Sequence, residues 1–213
     1  MKIGVLGSGG VGQTLAAGFL KHGHETMIGT REPSKLADWN KAHPGARVGS
    51  PSETAAFAEI VVLAVKGSAA ADALRGAGRE NLASKTVIDA CNPIADAPPE
   101  HGVLKFFTGP NESLMEQLQK EFSDAHFVKA FNSVGSAGFV NPQYGGIRPT
   151  MFICGNNDAA KKTVTGILDQ FGWETADMGT AEAARAIEPL CMLWCILGFT
   201  KNEWTHAFKL LRK

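Results

Sequence analysis

The sequence predicts an α/β fold: a doubly wound, mainly parallel sheet with a small helical C-terminal part. Three observations predict it. Apolar runs rich in β-branched residues alternate with amphipathic or Ala-rich stretches. Runs such as Ile60-Val61-Val62-Leu63-Ala64-Val65 are apolar on both faces, as strands covered by helices on both sides must be. A G-x-G-x-x-G spacing follows the first run and opens the first amphipathic stretch.

In chain order, strands are expected at Lys2 to Leu6, Glu25 to Gly29, Arg47 to Gly49, Ile60 to Val65, Thr86 to Ala90 and Ala125 to Phe131. Between them, helices are expected at Val11 to His22, Pro33 to His43, Pro51 to Phe57, Ser68 to Gly76 and Glu112 to Phe122, with Pro51 pre-set for a first helical turn. Two more strands, Thr150 to Cys154 and Trp173 to Asp177, flank a helix from Asp158 to Phe171, for which Asn156, Asn157 and Asp158 are the candidate caps. From Ala181 to Leu211 the chain reads as helical but broken at Pro189 and Gly198. Its many apolar residues fit either a core helix or a dimer interface. At 213 residues, one domain with an appendage is expected: a dinucleotide-binding domain over 1–179 and a C-terminal helical segment over 180–213.

Composition narrows the function classes. The chain is 44% hydrophobic and 20% charged, enough to bury a core. With 21 Lys+Arg against 21 Asp+Glu it lacks the cationic surplus of a nucleic-acid binder. Leu190 to Phe199, the longest apolar stretch, is half of a membrane span, and the N-terminus has no export signal, so a cytoplasmic protein with no membrane partner is expected. The four cysteines form no CxxC unit and read as reduced thiols; histidines and cysteines never cluster at metal-ligand spacing.

Gly7-Ser8-Gly9-Gly10-Val11-Gly12 stands in the context that gives the G-x-G-x-x-G pattern its meaning. Gly7 permits the tight turn, Gly9 lets the backbone approach a pyrophosphate, Gly12 allows close helix packing, and the helix N-terminus offers N–H groups to the anion. The second strand ends Gly29-Thr30-Arg31, where an NAD-preferring protein usually places an acidic residue. Thr30, Arg31 and Lys35 can instead hold a 2′-phosphate, favouring NADP(H), while Glu32 keeps the ribose-binding alternative open.

Across a doubly wound sheet the nicotinamide meets the residues after the later strands. These are Ala64, Val65 and Lys66; Cys91, Asn92 and Pro93; and Ala130 to Val134, with Asn132, Ser133 and Val134 as candidate walls for a second substrate. A dehydrogenase acid is hard to find. His22, His24, His43 and His206 fall on predicted helices, turns or the start of strand two, and His126 lies at the wrong end of its strand. His101 and Tyr144 lie in loops. Hydride exchange with a flavin ring needs orientation more than a side-chain acid.

Together with Val128-Lys129-Ala130-Phe131-Asn132-Ser133-Val134, Ile153-Cys154-Gly155-Asn156-Asn157-Asp158 and Ala184-Arg185-Ala186-Ile187-Glu188-Pro189-Leu190, these motifs resemble the NADP oxidoreductase, coenzyme F-420-dependent family over essentially the whole chain. The Val128 to Asn132 stretch is also similar to the cytosolic domain of the STEAP metalloreductases. The resemblance implies a Rossmann domain with NADPH on Gly7 to Gly12, Thr30, Arg31 and Lys35, a flavin or deazaflavin as exchangeable co-substrate, and a homodimer. One departure stands out: deazaflavin-using members carry a histidine where this chain has Asn132, whereas the STEAP-like enzymes have asparagine. A carbonyl reductase and a non-catalytic NADP-binding sensor are the alternative functions.

Overall fold

The computed structural model describes residues Met1–Lys213. Strand β1 (Lys2–Leu6) leads into helix α1 (Gly10–Lys21), followed by β2 (Glu25–Gly29), α2 (Ala37–Ala42), β3 (Arg47–Gly49), α3 (Pro51–Phe57) and β4 (Ile60–Leu63). Next come α4 (Ala70–Ala77), α5 (Arg79–Leu82), β5 (Thr86–Asp89), α6 (Leu114–Glu121) and β6 (His126–Lys129). The chain ends with β7 (Thr150–Ile153), α7 (Asp158–Gln170), β8 (Glu174–Asp177), α8 (Ala184–Ile187) and α9 (Pro189–Lys201).

Strands β1 to β6 form one sheet in the order β3-β2-β1-β4-β5-β6, parallel at every pairing. Strands β7 and β8 form a separate parallel pair, joined to β6 by an antiparallel bridge between Lys129 and Cys154. Alternation along the strands splits the core in two. Ile3, Val5, Ile60 and Val62 join Leu15 and Phe19 of α1 on one face, while Leu6, Val61 and Leu63 join Ala55 of α3 and Leu74 of α4 on the other. Each of the larger side chains contributes about 1.5–3 kcal/mol by leaving water. Strand order reverses between β1 and β4, which opens a crevice at their carboxyl ends.

Caps fix several helix starts. Ser50 and Glu53 form a reciprocal capping box on α3, Ser113 and Glu116 do the same on α6, and Asn157 accepts from the Ala160 N–H at α7. The segment expected to form one helix over Pro33 to His43 is a 3-10 turn, Pro33–Leu36, followed by α2.

The C-terminal expectation needs correction. Gly198 does not break α9; it lies within the helix because the Trp204 ring occupies the space where a Cβ would stand, 2.2 Å from its nearest ring atom. Residues 202–213 are not helical. Asn202, at φ 56°, ends α9 in a left-handed cap. The tail then runs back along β7, where the Thr150 N–H donates to the Phe208 carbonyl at 2.8 Å and the Leu210 N–H donates to Thr150 Oγ1 at 3.1 Å. His206, expected on a helix, lies in this extended tail and stacks on Trp194. Pro189 occupies the first turn of α9, so it starts that helix rather than interrupting one. Taken without a break, Ala181–Lys201 is a 21-residue helical stretch whose length and mean hydropathy of 1.3 would by themselves let it cross a membrane. Its Glu188, however, is sealed into the interior by the ion cluster described below.

Candidate active site

The phosphate turn is built by close backbone approach. Gly7 has φ +132°, and a Cβ there would fall 2.1 Å from the Ala64 carbonyl oxygen, so the end of β4 presses directly on the turn. Gln13 Nε2 donates to the Ser8 carbonyl at 2.8 Å and holds the loop from the helix side. At Gly9 and Gly10 a Cβ would meet nothing within 4 Å. Gly9 caps α1 without a side-chain bond, which leaves first-turn N–H groups turned toward that open space. This is the cradle a pyrophosphate needs, and the residues present fit it.

Beside the turn lies a cleft of about 400 Å³ lined by Gly7, Ser8, Thr30, Arg31, Lys35 and Val65, among others. Thr30 is buried; its hydroxyl donates to Ser8 Oγ at 3.2 Å and accepts from the Glu32 N–H at 3.1 Å, tying the end of β2 to the phosphate turn. Arg31 is exposed at the rim and enters no ion pair. Lys35 lies 2.9 Å from Glu32 Oε2, and this bond holds the Glu32 carboxyl below its ordinary range. Asp72 of α4, not anticipated from the sequence, lines the opposite wall and pairs with Arg75 at 2.7 Å.

The nicotinamide-side candidates lie apart from this cleft, after β4, β5 and β6. Val65 belongs to both regions. Lys66 is exposed and ion-paired to Asp96. Asn92 Nδ2 donates to the Asn132 carbonyl at 2.8 Å; Asn132 Nδ2 donates to Asn92 Oδ1 at 3.2 Å and to the Ile187 carbonyl at 3.0 Å. Asn132, 3% exposed, therefore spends its amide on a seam between the sheet edge and the C-terminal helices, and its Oδ1 is buried without a partner. Pro93 and Ser133 are buried, and Val134 is half-buried. Gly135 lies under the Trp194 ring of α9, where a Cβ would fall 2.7 Å away.

Beneath the seam lies a cluster that the sequence reading passed over. Lys129 and Asp89 are register partners at the ends of β6 and β5, both 0% exposed. Lys129 Nζ lies 2.6 Å from Asp89 Oδ2 and 2.8 Å from Glu188 Oε1, and donates to the Cys91 carbonyl at 3.0 Å. Burial works against its charge, but Asp89 and Glu188 outweigh that penalty and raise its pKa. The signal was available: a lysine or aspartate ending an otherwise apolar run is buried with a partner or not at all.

Residues 2–93 match the model of the family described as NADP oxidoreductase, coenzyme F420-dependent. A crystal structure of a protein from Arthrobacter sp. FB24, provisionally assigned as an F420-dependent NADP reductase, is 35% identical, with a TM-score of 0.93 and full coverage of both chains. The chain belongs to this NADP oxidoreductase family. It is also 28% identical over 189 residues to the metalloreductase STEAP3 of Rattus norvegicus, covering 89% of the chain but only 36% of that longer protein. An imine reductase of Streptomyces aurantiacus shares the fold at a TM-score of 0.69 and 18% identity, over 93% of this chain and 62% of that one.

Proposed function

We propose that the chain is an NADPH-dependent oxidoreductase that exchanges a hydride with a freely exchanging flavin or deazaflavin at the carboxyl edge of β5 and β6. The observation that supports this reading is the state of the titratable groups at that edge. Lys66 is paired with Asp96, Lys129 is enclosed by two carboxylates, and burial pushes the Cys91 thiol far up. What remains is neutral backbone and side-chain groups and apolar walls, held in place by the Asn92 and Asn132 seam, which orient a ring without protonating it. A nicotinamide bound there would supply a hydride, and the further proton that the acceptor ring needs would come from water. The chain's own part is to bind and orient: Gly7 to Gly12 for the pyrophosphate, Thr30, Arg31 and Lys35 for the 2′-phosphate, and the seam at Asn92 and Asn132 for the nicotinamide side. All four cysteines are free thiols, which suits a cytoplasmic enzyme.

The test is rapid-mixing absorbance of NADPH with FMN, FAD, riboflavin or a deazaflavin coenzyme, each in a separate run. Oxidation with one ring acceptor is the expected result, and tight NADPH binding with no turnover for any of them would overturn the reading in favour of a nucleotide sensor. A second reading, reduction of a small carbonyl compound, draws on Tyr144. Its hydroxyl and the Val134 side chain both flank Gly138, and burial raises its pKa so that it keeps its proton. Turnover of aldehydes or ketones that disappears in Tyr144→Phe would favour it. His101 is less well placed. Its neighbour Gly102 packs on Thr200, thirteen residues further along the helical stretch than Ile187, roughly 20 Å by helical rise.

A further inference from the structure

We propose that Glu188 and Lys129 are positioning residues for the nicotinamide half of the site, through which the C-terminal helices set the geometry of the Asn92 and Asn132 edge. This deepens the NADP reading and rests on it. The geometry converges on one residue, Cys91. Cys91 donates its N–H to Asp89 Oδ1 at 2.9 Å and its carbonyl accepts from Lys129, so both ends of the residue before Asn92 are held by the same ion pair. The Asn92 carbonyl in turn packs on Gly67, where a Cβ would fall 2.0 Å from it. Asn92 therefore has little freedom of its own.

Two consecutive residues of the C-terminal part complete the arrangement. The Ile187 carbonyl accepts from Asn132 Nδ2, and Glu188 binds Lys129. The Glu188 carboxylate also accepts from Leu114 N–H at Oε2 and Met115 N–H at Oε1, both at 3.0 Å, so it caps α6 while closing the ion cluster. One cation between two carboxylates leaves the cluster one negative charge in excess, stabilised by these amides and by the α6 N-terminus. Glu188 is 1% exposed and its oxygens are taken, so it cannot touch a cofactor; it acts through Lys129, Cys91 and Asn92. None of these groups reaches the cleft at Ser8, Thr30 and Arg31.

The proposal therefore predicts a split between the two halves of the cofactor. Glu188→Gln keeps the shape and removes the negative charge that faces Lys129. Binding of NADPH and of adenosine 2′,5′-bisphosphate to the full chain is measured by calorimetry for wild type and variant. The expected result is about a tenfold rise in the NADPH Kd, as for one lost charged hydrogen bond, with the bisphosphate Kd unchanged. Equal weakening of both ligands, or no change in either, overturns the positioning role. Failure of the wild-type chain to bind the bisphosphate overturns the NADP reading itself and this proposal with it. Should Glu188→Gln not fold, Glu188→Asp, which keeps the charge and shortens the reach by one methylene, carries the same comparison.

Discussion

A Cβ on Gly12 would lie 1.9 Å from the carbonyl oxygen of Gly7, whereas one on Gly9, three residues earlier, would meet nothing within 4 Å. The two glycines of one motif therefore answer to different demands. Gly12→Ala forces backbone against backbone and is expected to destabilise the fold by about 1–3 kcal/mol. Gly9→Ala should fold with wild-type stability, since φ −78° suits any residue, yet lose NADPH binding because its methyl enters the space beside the phosphate turn. Urea unfolding and calorimetric titration of both variants check the contrast.

Arg31, Glu32 and Lys35 set the second prediction. Arg31→Ala should weaken NADPH by about 1–3 kcal/mol and leave NADH nearly unchanged, because only NADPH carries the phosphate that a rim guanidinium would meet. Glu32→Gln should act in the opposite direction. It releases Lys35 from the 2.9 Å ion pair and removes a carboxylate near the incoming phosphate, so NADPH should tighten. Equal responses to the two cofactors in titrations of either variant would remove the 2′-phosphate assignment.

How legible each part was depended on how local its causes are. The strands were readable because Ile60 to Leu63 and its fellows are apolar on both faces whatever surrounds them, and Gly7 to Gly12 announces a turn within six residues. The tail reads as helical because Trp204, Phe208 and Leu211 recur at helical spacing, while the left-handed Asn202 and the edge of β7 decide otherwise. Gly198 reads as a breaker unless Trp204 is known to lie over it. Lys129 and Asp89 at the ends of apolar runs signal burial with a partner, but which residues pair is set by Asp89 40 positions before Lys129 and Glu188 59 after it, beyond any local pattern. Asn132 was visible as a polar residue after a strand, but not that its amide faces Ile187.

Acid should loosen the contact between α6 and α8. The Arg185 guanidinium, 3.0 Å from Glu116, holds that carboxyl below its ordinary value, with Ser113 adding to the effect against the cost of burial. A carboxyl lowered in the folded state contributes stability above its unfolded pKa of about 4.3 and loses it as pH falls through the folded value. Arg185→Ala should therefore cost a little stability at neutral pH, as an exposed pair does, and the gap to wild type should close at acid pH. Unfolding curves at a series of pH values check this; a gap that stayed constant down to strong acid would assign the loss to packing instead.

The apolar character of α9 leads to the last prediction. Only Cys191, Trp194 and Gly198 of its residues are buried, although apolar side chains surround the helix, and Leu193 and Phe199 are 55% and 47% exposed. A helix apolar on every side normally lies inside a core. The tail covers part of it, through Trp204 on Gly198 and the Trp194 Nε1–H donated to the His206 carbonyl at 2.7 Å, but it leaves Leu193 open. A second copy of the chain would cover the remainder by the same face on each protomer. Leu193→Asp, which places a charge at the centre of that face, should weaken such a dimer by about 2–4 kcal/mol while leaving the circular dichroism of the fold unchanged. Sedimentation velocity over a range of concentrations gives the answer: a wild-type chain that stays monomeric throughout would show that the exposed face of α9 has no self-association to disrupt.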